Sequence, residues 1–307
     1  YKAGILSGDY IIQIDDTPVL GLTISEAVEL MRGKKGTSIK LTISREGIDP
    51  FEVEIVRGII PIQSVKSDFF GNVGYLRITS FTEQTESGIE KAIIKIKEEL
   101  NGKEIGYILD IRSNPGGLLD QAVKVSDAFL EQGEIVSTRG RTKNDIRRYR
   151  ARAGDLLDSK PLVVLINSGS ASASEIVAGS LQDHKRAIIV GTNSFGKGSV
   201  QSIIPIRNPV IAGIRLTTAR YYTPSGKSIQ GIGITPDIIV EQGKFESINF
   251  KPISESDLKN SLDKEDIEKE ETSEKTPQEE RLERDFQLAR AVDLIIGIDI
   301  YKESLTQ

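Results

Sequence analysis

From Gly71 onward the sequence alternates short apolar runs with amphipathic stretches, and this alternation limits the fold more than any other feature. Residues 73–78 read as a strand. Residues 83–100 follow as a helix with Ile89, Ala92, Ile93, Ile96 and Leu100 on one face. Residues 105–111 and 162–166 are buried-type strands, and residues 119–130 and 173–182 are helices. Further strands are expected at residues 187–190, 200–206, 214–220 and 237–240. Strands and helices in this order predict an α/β layer architecture.

The first ~60 residues differ. They read as a small, mainly β module, with a turn at Gly8-Asp9, a strand over residues 10–14 and strands over 38–44 and 51–56. Thr23-Ile24-Ser25-Glu26 is a capping box that opens one helix carrying Ala27, Val28, Leu30 and Met31. Residues 139–157 are basic and weakly patterned, which predicts a surface excursion. Residues 255–285 hold thirteen acidic and six basic side chains, the composition of a solvated linker or insert. Helical periodicity returns over residues 278–296, through Leu282, Phe286, Leu288, Ala289, Val292, Leu294 and Ile295, as a closing helix that docks on another surface. The expected division is therefore 1–62, 63–245, 246–277 and 278–307.

Composition removes several function classes. The net charge is −5, so no basic excess exists to neutralise a nucleic-acid backbone. The chain has no Cys, which excludes disulfides, thiolate zinc sites and a Cys nucleophile, and it has a single His. No metal and no cofactor are expected. No run of about 18 apolar residues is present to span a membrane. The chain opens at Tyr1 inside a patterned segment. It is therefore expected to be a fragment whose targeting region lies outside it, and any membrane association is expected through that region alone.

Three segments could carry chemistry. Asn167-Ser168-Gly169-Ser170-Ala171-Ser172-Ala173-Ser174-Glu175-Ile176 joins a buried strand to a helix, at the carboxyl edge where ligands gather in open α/β sheets. Ser172-x-x-Glu175 also fits a capping box, so the hydroxyl has a purely structural alternative. Gly191-Thr192-Asn193-Ser194-Phe195-Gly196-Lys197-Gly198 has the form of a phosphate-binding loop. However, a strand follows it where that motif needs a helix N-terminus, which disfavours an NTPase. Asp110-Ile111-Arg112-Ser113-Asn114-Pro115-Gly116-Gly117-Leu118 is a strand, a tight turn and a helix start, suited to backbone amides that meet a carbonyl oxygen.

Helix and strand lengths link the first two segments. A helix from Ser172 advances ~15 Å, and the following strand returns a comparable distance, so Lys197 comes back to the edge where Ser172 sits. His184 lies ~18 Å along the same helix, which excludes a Ser-His-Asp triad. Lys197 is then the available base. Set behind Phe195 between strands, its desolvated amine could take the Ser172 proton, with Gln201 as its hydrogen-bonded orienter.

These segments, together with Leu216-Thr217-Thr218-Ala219-Arg220-Tyr221-Tyr222-Thr223-Pro224-Ser225-Gly226, resemble the C-terminal-processing (tail-specific) serine endopeptidases. They stand in that family's order and at its Ser-to-Lys interval. The resemblance implies a crotonase-like (Clp-protease-like) α/β core, an N-terminal partial PDZ module and a C-terminal helix. It implies Ser172 as nucleophile, Lys197 as general base and Gln201 as orienter, with Gly116 or Gly117 and Ala173 donating oxyanion amides. Asp183 falls where the family carries an Asp, with a structural role expected. Polypeptide C-termini are the implied partners, bound beside the PDZ helix at Ile24, Ala27, Val28 and Met31. The strand and carboxylate-binding loop of that module are expected to precede Tyr1. The family acts outside the cytoplasm, in the periplasm or cell envelope, and includes oligomers, for which the closing helix is a candidate docking surface. The alternative is a non-catalytic adaptor that binds C-terminal peptides and uses Ser172 only as a helix cap.

Overall fold

In the computed structural model, which describes residues 3–59, 63–142, 144–206, 213–243 and 276–306, the apolar runs form the middle of a six-stranded sheet. Its strands are β5 (Val65–Phe70), β6 (Val73–Ile78), β7 (Gly106–Asp110), β10 (Leu162–Ile166), β11 (Ile188–Gly191) and β14 (Ile238–Ile239), in the order β14-β11-β10-β7-β6-β5. Only β5 runs antiparallel to its neighbour. Every residue of β7 and β10 is buried, as strands covered on both faces require.

Along β6, β7, β10 and β11 the strand order never reverses, so successive right-handed crossovers stack α2 (Thr85–Glu99), α3 (Leu119–Asp127) and α4 (Ala173–Asp183) on one face. Ile89, Ile96, Val125, Val177 and Leu181 pack there against Leu109, Val164 and Ile166. The alternate residues Ile108, Val163 and Leu165 turn to the other face. That face is covered by α6 (Phe286–Thr306) through Leu288, Ala291, Val292 and Ile295, a one-face stripe at helical spacing.

A second, antiparallel sheet has the order β12-β13-β8-β9, from β8 (Glu134–Arg139), β9 (Ile146–Arg150), β12 (Ser199–Pro205) and β13 (Gly213–Tyr222). Two sequence expectations change here. Residues 139–157 are not an unpatterned excursion. They contain β9, in which Tyr149 packs on the core while Arg147, Arg148 and Arg150 are exposed. The closing helix is two helices, α5 (Pro277–Arg284) and α6, broken at Asp285. The Asp285 carboxylate accepts the Leu288 amide at 3.2 Å as an N-cap, which competes with helical continuity. The acidic stretch over residues 246–275 lies outside the described residues.

The chain divides into two units, Tyr1–Ile62 and Gln63–Gln307. The first is a four-stranded antiparallel sheet, β2-β1-β3-β4, from β1 (Tyr10–Ile14), β2 (Thr17–Pro18), β3 (Ser38–Arg45) and β4 (Ile48–Val56), with the single helix α1 (Ile24–Met31). Ile14, Ile39, Leu41, Ile43 and Val53 form its core. The Thr23 and Glu26 capping box starts α1, and Arg57 ends it by donating to the Met31 carbonyl at 2.9 Å.

One buried cluster ties the C-terminal helices to the sheet. Arg112 donates to Asp110 (2.7 and 3.0 Å) and bidentately to Asp285 (2.6 and 2.7 Å), while Asp110 also accepts from Arg77 and Tyr75, both at 2.8 Å. Burial pushes the Asp110 carboxyl up, but hydrogen bonding and charge from Arg112, then Arg77, hold it below the ordinary carboxylate value. Asp285 is lowered against its own burial by the same guanidinium. The Tyr75 phenol is pushed up to about 12 by burial and by Asp110.

Both Asp groups have folded pKa values below their unfolded ones. Their stabilisation is therefore complete above about pH 4 and is lost as pH falls through the folded values. Arg112→Met is expected to cost about 3 kcal/mol, the low end for breaking a buried pair, because Arg77 still faces Asp110. Thermal unfolding of Arg112→Met from pH 3 to 7 should lose part of the acid sensitivity shown by the wild type; an equal midpoint at neutral pH would contradict the cluster's role.

Candidate active site

Three turns meet at the carboxyl edge of the sheet, one each after β7, β10 and β11. They come from adjacent strands, since Leu165 of β10 pairs with Asp110 of β7 and Ile166 pairs with Gly191 of β11. Because the strand order does not reverse, the cleft here is not a switch-point crevice of the doubly wound kind. Instead the turns are laced to one another by side chains.

The serines at alternate positions have different tasks. Ser170 Oγ donates to the Ile111 carbonyl (2.8 Å) and accepts the Asn167 amide (3.0 Å). Ser174 Oγ donates to the Asn114 carbonyl (2.9 Å). Both are fully buried, and both stitch the β10 turn to the β7 turn. Asn167 adds a third link through its Oδ1, which accepts the Ser113 amide at 2.8 Å. Ser172, between them, is half-buried.

Its backbone is unusual. Thr23 and Thr276, which close the other two capping boxes, have φ/ψ of −71°/159° and −69°/155°. Ser172 has φ 56° and ψ −110°. The capping-box pattern is present, yet capping alone does not call for this conformation, which costs a non-glycine residue of order 1–3 kcal/mol.

The amide of this residue is bound by Glu175. This fully buried carboxylate accepts four hydrogen bonds. Oε2 takes the amides of Ser172 (2.7 Å) and Lys197 (2.8 Å), and Oε1 takes the Ser194 hydroxyl and the Gly196 amide, both at 2.6 Å. One oxygen thus holds the Ser172 and Lys197 amide nitrogens within two hydrogen-bond lengths of each other. Ser194 Oγ also accepts the Ile234 amide (2.7 Å), which fastens the next loop to the same group. The Ser-x-x-Glu pattern was legible in the sequence, but the 19-residue reach to Ser194 was not.

The glycine turn fits closely around Ser172. Gly116, at φ 100°, leaves no room for a side chain, since a Cβ would lie 2.7 Å from the Ala171 carbonyl and 2.9 Å from Ser172 Cβ. A side chain at Gly117, at φ 148°, would collide with the Phe81 backbone. Their amides differ in a way that bears on the choice the sequence left open. The Gly116 amide is engaged by Asn114 Oδ1 (2.9 Å), whereas the amides of Gly117 and Ala173 have no acceptor among the described residues.

Other expected residues are arranged less directly. Lys197 is half-buried, and no hydrogen bond joins its amine to Ser172 or to Gln201 among the described residues. Gln201 lies exposed on β12, opposite Thr217 at a bulge. Phe195 does not cover Lys197 as the sequence reading expected. Its amide is held by the Ser170 carbonyl (3.0 Å), while its ring is 68% exposed. His184 closes the far end of α4, with Nε2 2.7 Å from the Glu134 carbonyl. Asp183 accepts the Ser225 amide (2.8 Å) and so braces a turn. In the N-terminal unit, Ala27 and Met31 pack on the core, Val28 is half-buried and Ile24 is 85% exposed.

The model of peptidase family S41 matches residues 72–240, and a PDZ-domain model matches residues 1–45. A carboxy-terminal-processing protease of Bartonella bacilliformis is 60% identical over 243 residues, covering 78% of this chain and 56% of that protein. The carboxy-terminal processing protease CtpA of Bacillus subtilis is 37% identical over 250 residues, covering 81% and 52%. The chain thus spans little more than half the length of these curated relatives. Among solved structures, a photosystem II D1 C-terminal processing protease superposes with a TM-score of 0.53 at 30% identity, over 78% of this chain and 65% of that one.

The strain at Ser172 can be measured. Ser172→Gly should be more stable than Ser172→Ala by about 1 kcal/mol, because only glycine adopts the native φ without cost. Equal unfolding midpoints for the two variants would show that Glu175 holds no strained backbone.

Proposed function

The chain belongs to peptidase family S41, and from that premise we propose that it is a serine endopeptidase that cuts polypeptides recognised by their C-terminal tails. The observation that carries this reading is the shared carboxylate: Glu175 binds the backbones of a strained Ser172 and of Lys197 through one oxygen.

In the proposed reaction the neutral Lys197 amine takes the Ser172 hydroxyl proton as Oγ attacks the peptide carbonyl carbon. The amides of Gly117 and Ala173 bind the oxyanion. Lys197 then protonates the leaving amine, which departs and leaves an acyl ester on Ser172. A water, deprotonated by the same amine, hydrolyses that ester. Gln201 orients the amine by turning inward from its exposed position on β12. Glu175 touches no reacting atom and acts as a positioning residue. The exposed part of α1, at Ile24, with Val28 beside it, is the proposed contact for substrate tails. The proposed compartment is extracytoplasmic, periplasm or cell envelope, in line with the family resemblance.

A serine-directed phosphonylating reagent tests the nucleophile. Mass mapping should find one adduct, on Ser172; Ser174→Ala should keep it and Ser172→Ala should lose it. Peptide binding without any adduct would favour the adaptor reading. The base is tested by substitution: Lys197→Arg, which keeps the positive charge but cannot take a proton, should abolish turnover, and wild-type kcat/KM in that variant would exclude a lysine base.

Glu175→Gln places an amide NH2 against N–H donors. It should lower kcat at least about tenfold while KM changes less than about twofold, as expected when positioning rather than binding is lost. A matched rise in KM with kcat intact would assign Glu175 to substrate binding instead.

A further inference from the structure

We infer that Arg139 and Arg220 form a carboxylate-binding subsite beside the catalytic strand, which selects substrates carrying an acidic group at one fixed distance from the scissile bond. This rests on the proteolytic reading above. The two residues are direct cross-strand partners in β8 and β13, and Arg220 is in turn paired with Ser199, two residues after Lys197. At a strand spacing of about 4.8 Å the cluster begins one strand from the residue that follows the Lys197 loop.

Like charges directly opposite each other in a sheet are destabilising. Here the cost is carried without relief, because neither guanidinium has a carboxylate partner among the described residues. Arg141 adjoins them and is likewise unpaired. The acid of that turn, Asp145, is already bound at Oδ2 by the Thr142 hydroxyl (2.6 Å) and amide (3.1 Å). Arg139, Arg141 and Arg220 are thus three cations without a carboxylate partner among the described residues, gathered at the two central strands of this sheet.

Position adds to charge. Arg139 lies over the Tyr222 ring, with its guanidinium carbon 4.1 Å from the centroid, so its orientation is fixed before any ligand arrives. The cluster lines a cavity of about 350 Å³ together with Thr217 and Thr218, of which the Thr218 hydroxyl is already paired with Ser202 at 2.8 Å. A guanidinium pair matches a carboxylate, which accepts two parallel N–H bonds from one arginine. Arg139, Arg220 and Tyr222 act here on specificity and touch no reacting atom.

The test compares wild type with Arg139→Gln/Arg220→Gln on four kinds of peptide. These are a neutral amidated peptide, a set with one Glu scanned across positions on either side of the cut, the free-acid form of the neutral peptide, and an Arg-scanned control set. In wild type one Glu register or the free C-terminus should raise kcat/KM about tenfold, the scale of one hydrogen bond to a charged group. The gain should shrink in about 0.5 M salt and disappear in the double variant, and Arg220→Lys should restore part of it. A gain at a Glu register identifies a side chain as the ligand, and a gain with the free acid identifies the terminus.

The neutral peptide should be cut equally by both proteins, which reports the Ser-Lys reading separately. Circular dichroism should show the double variant folded like wild type, since it loses the repulsion together with the Arg139–Tyr222 contact. No acidic gain in wild type, or a gain that survives the double substitution, would overturn the proposal. Sedimentation with phosphatidylglycerol vesicles that depends on these arginines, without any peptide effect, would overturn it in favour of a lipid surface.

Discussion

A single buried carboxylate organises the carboxyl edge of the sheet. Glu175 is without a cationic partner among the described residues and is satisfied by four donors from two different turns, so it ties the β10 turn to the β11 turn. Any change that removes one of its oxygens leaves buried N–H groups unpaired, and those groups belong to Ser172, Gly196 and Lys197. Stability and geometry of the site are therefore the same property. The positive φ of Ser172 sits at this same helix start, whereas Thr23 and Thr276 offer their amides to their own capping glutamates with φ near −70°.

The wider scaffold works toward the same end. A strand order without reversal puts three carboxyl ends side by side, but by itself it would leave three loose turns. Ser170, Ser174 and Asn167 tie the β7 and β10 turns together, Glu175 adds the β11 turn, and Arg112 begins the glycine turn while gripping Asp285 at the start of α6. The C-terminal helix thus does two jobs: it buries one face of the sheet, and it anchors the first residue of the turn that presents Gly116 and Gly117.

Much of this was legible in the sequence because it depends on short-range pattern. Continuous apolar runs marked β7 and β10, and the capping box at Thr23 marked α1. The features that were not legible depend on contacts distant in sequence. Basic residues in β9 hid its alternation, since only Tyr149 turns inward. The break at Asp285 needed knowledge of Arg112, 173 residues away. Phe195 looked like a lid because it is aromatic and next to Lys197, whereas its ring is largely exposed and its amide is held by the Ser170 carbonyl. Gly116 and Gly117 were equivalent as letters and became distinct once Asn114 claimed one of the two amides.

The proposed choice of base is tied to where the chain has placed its one imidazole. His184 is consumed at the far end of α4, against the Glu134 carbonyl, one full helix from Ser172. In the proposed mechanism the base for Ser172 comes from a side chain long enough to reach across a turn whose backbone is already fixed. Lysine meets that condition: its four-carbon stem supplies the reach, and Glu175 fixes only its amide. In that mechanism precision accordingly resides in the backbone and adjustment in a single flexible amine.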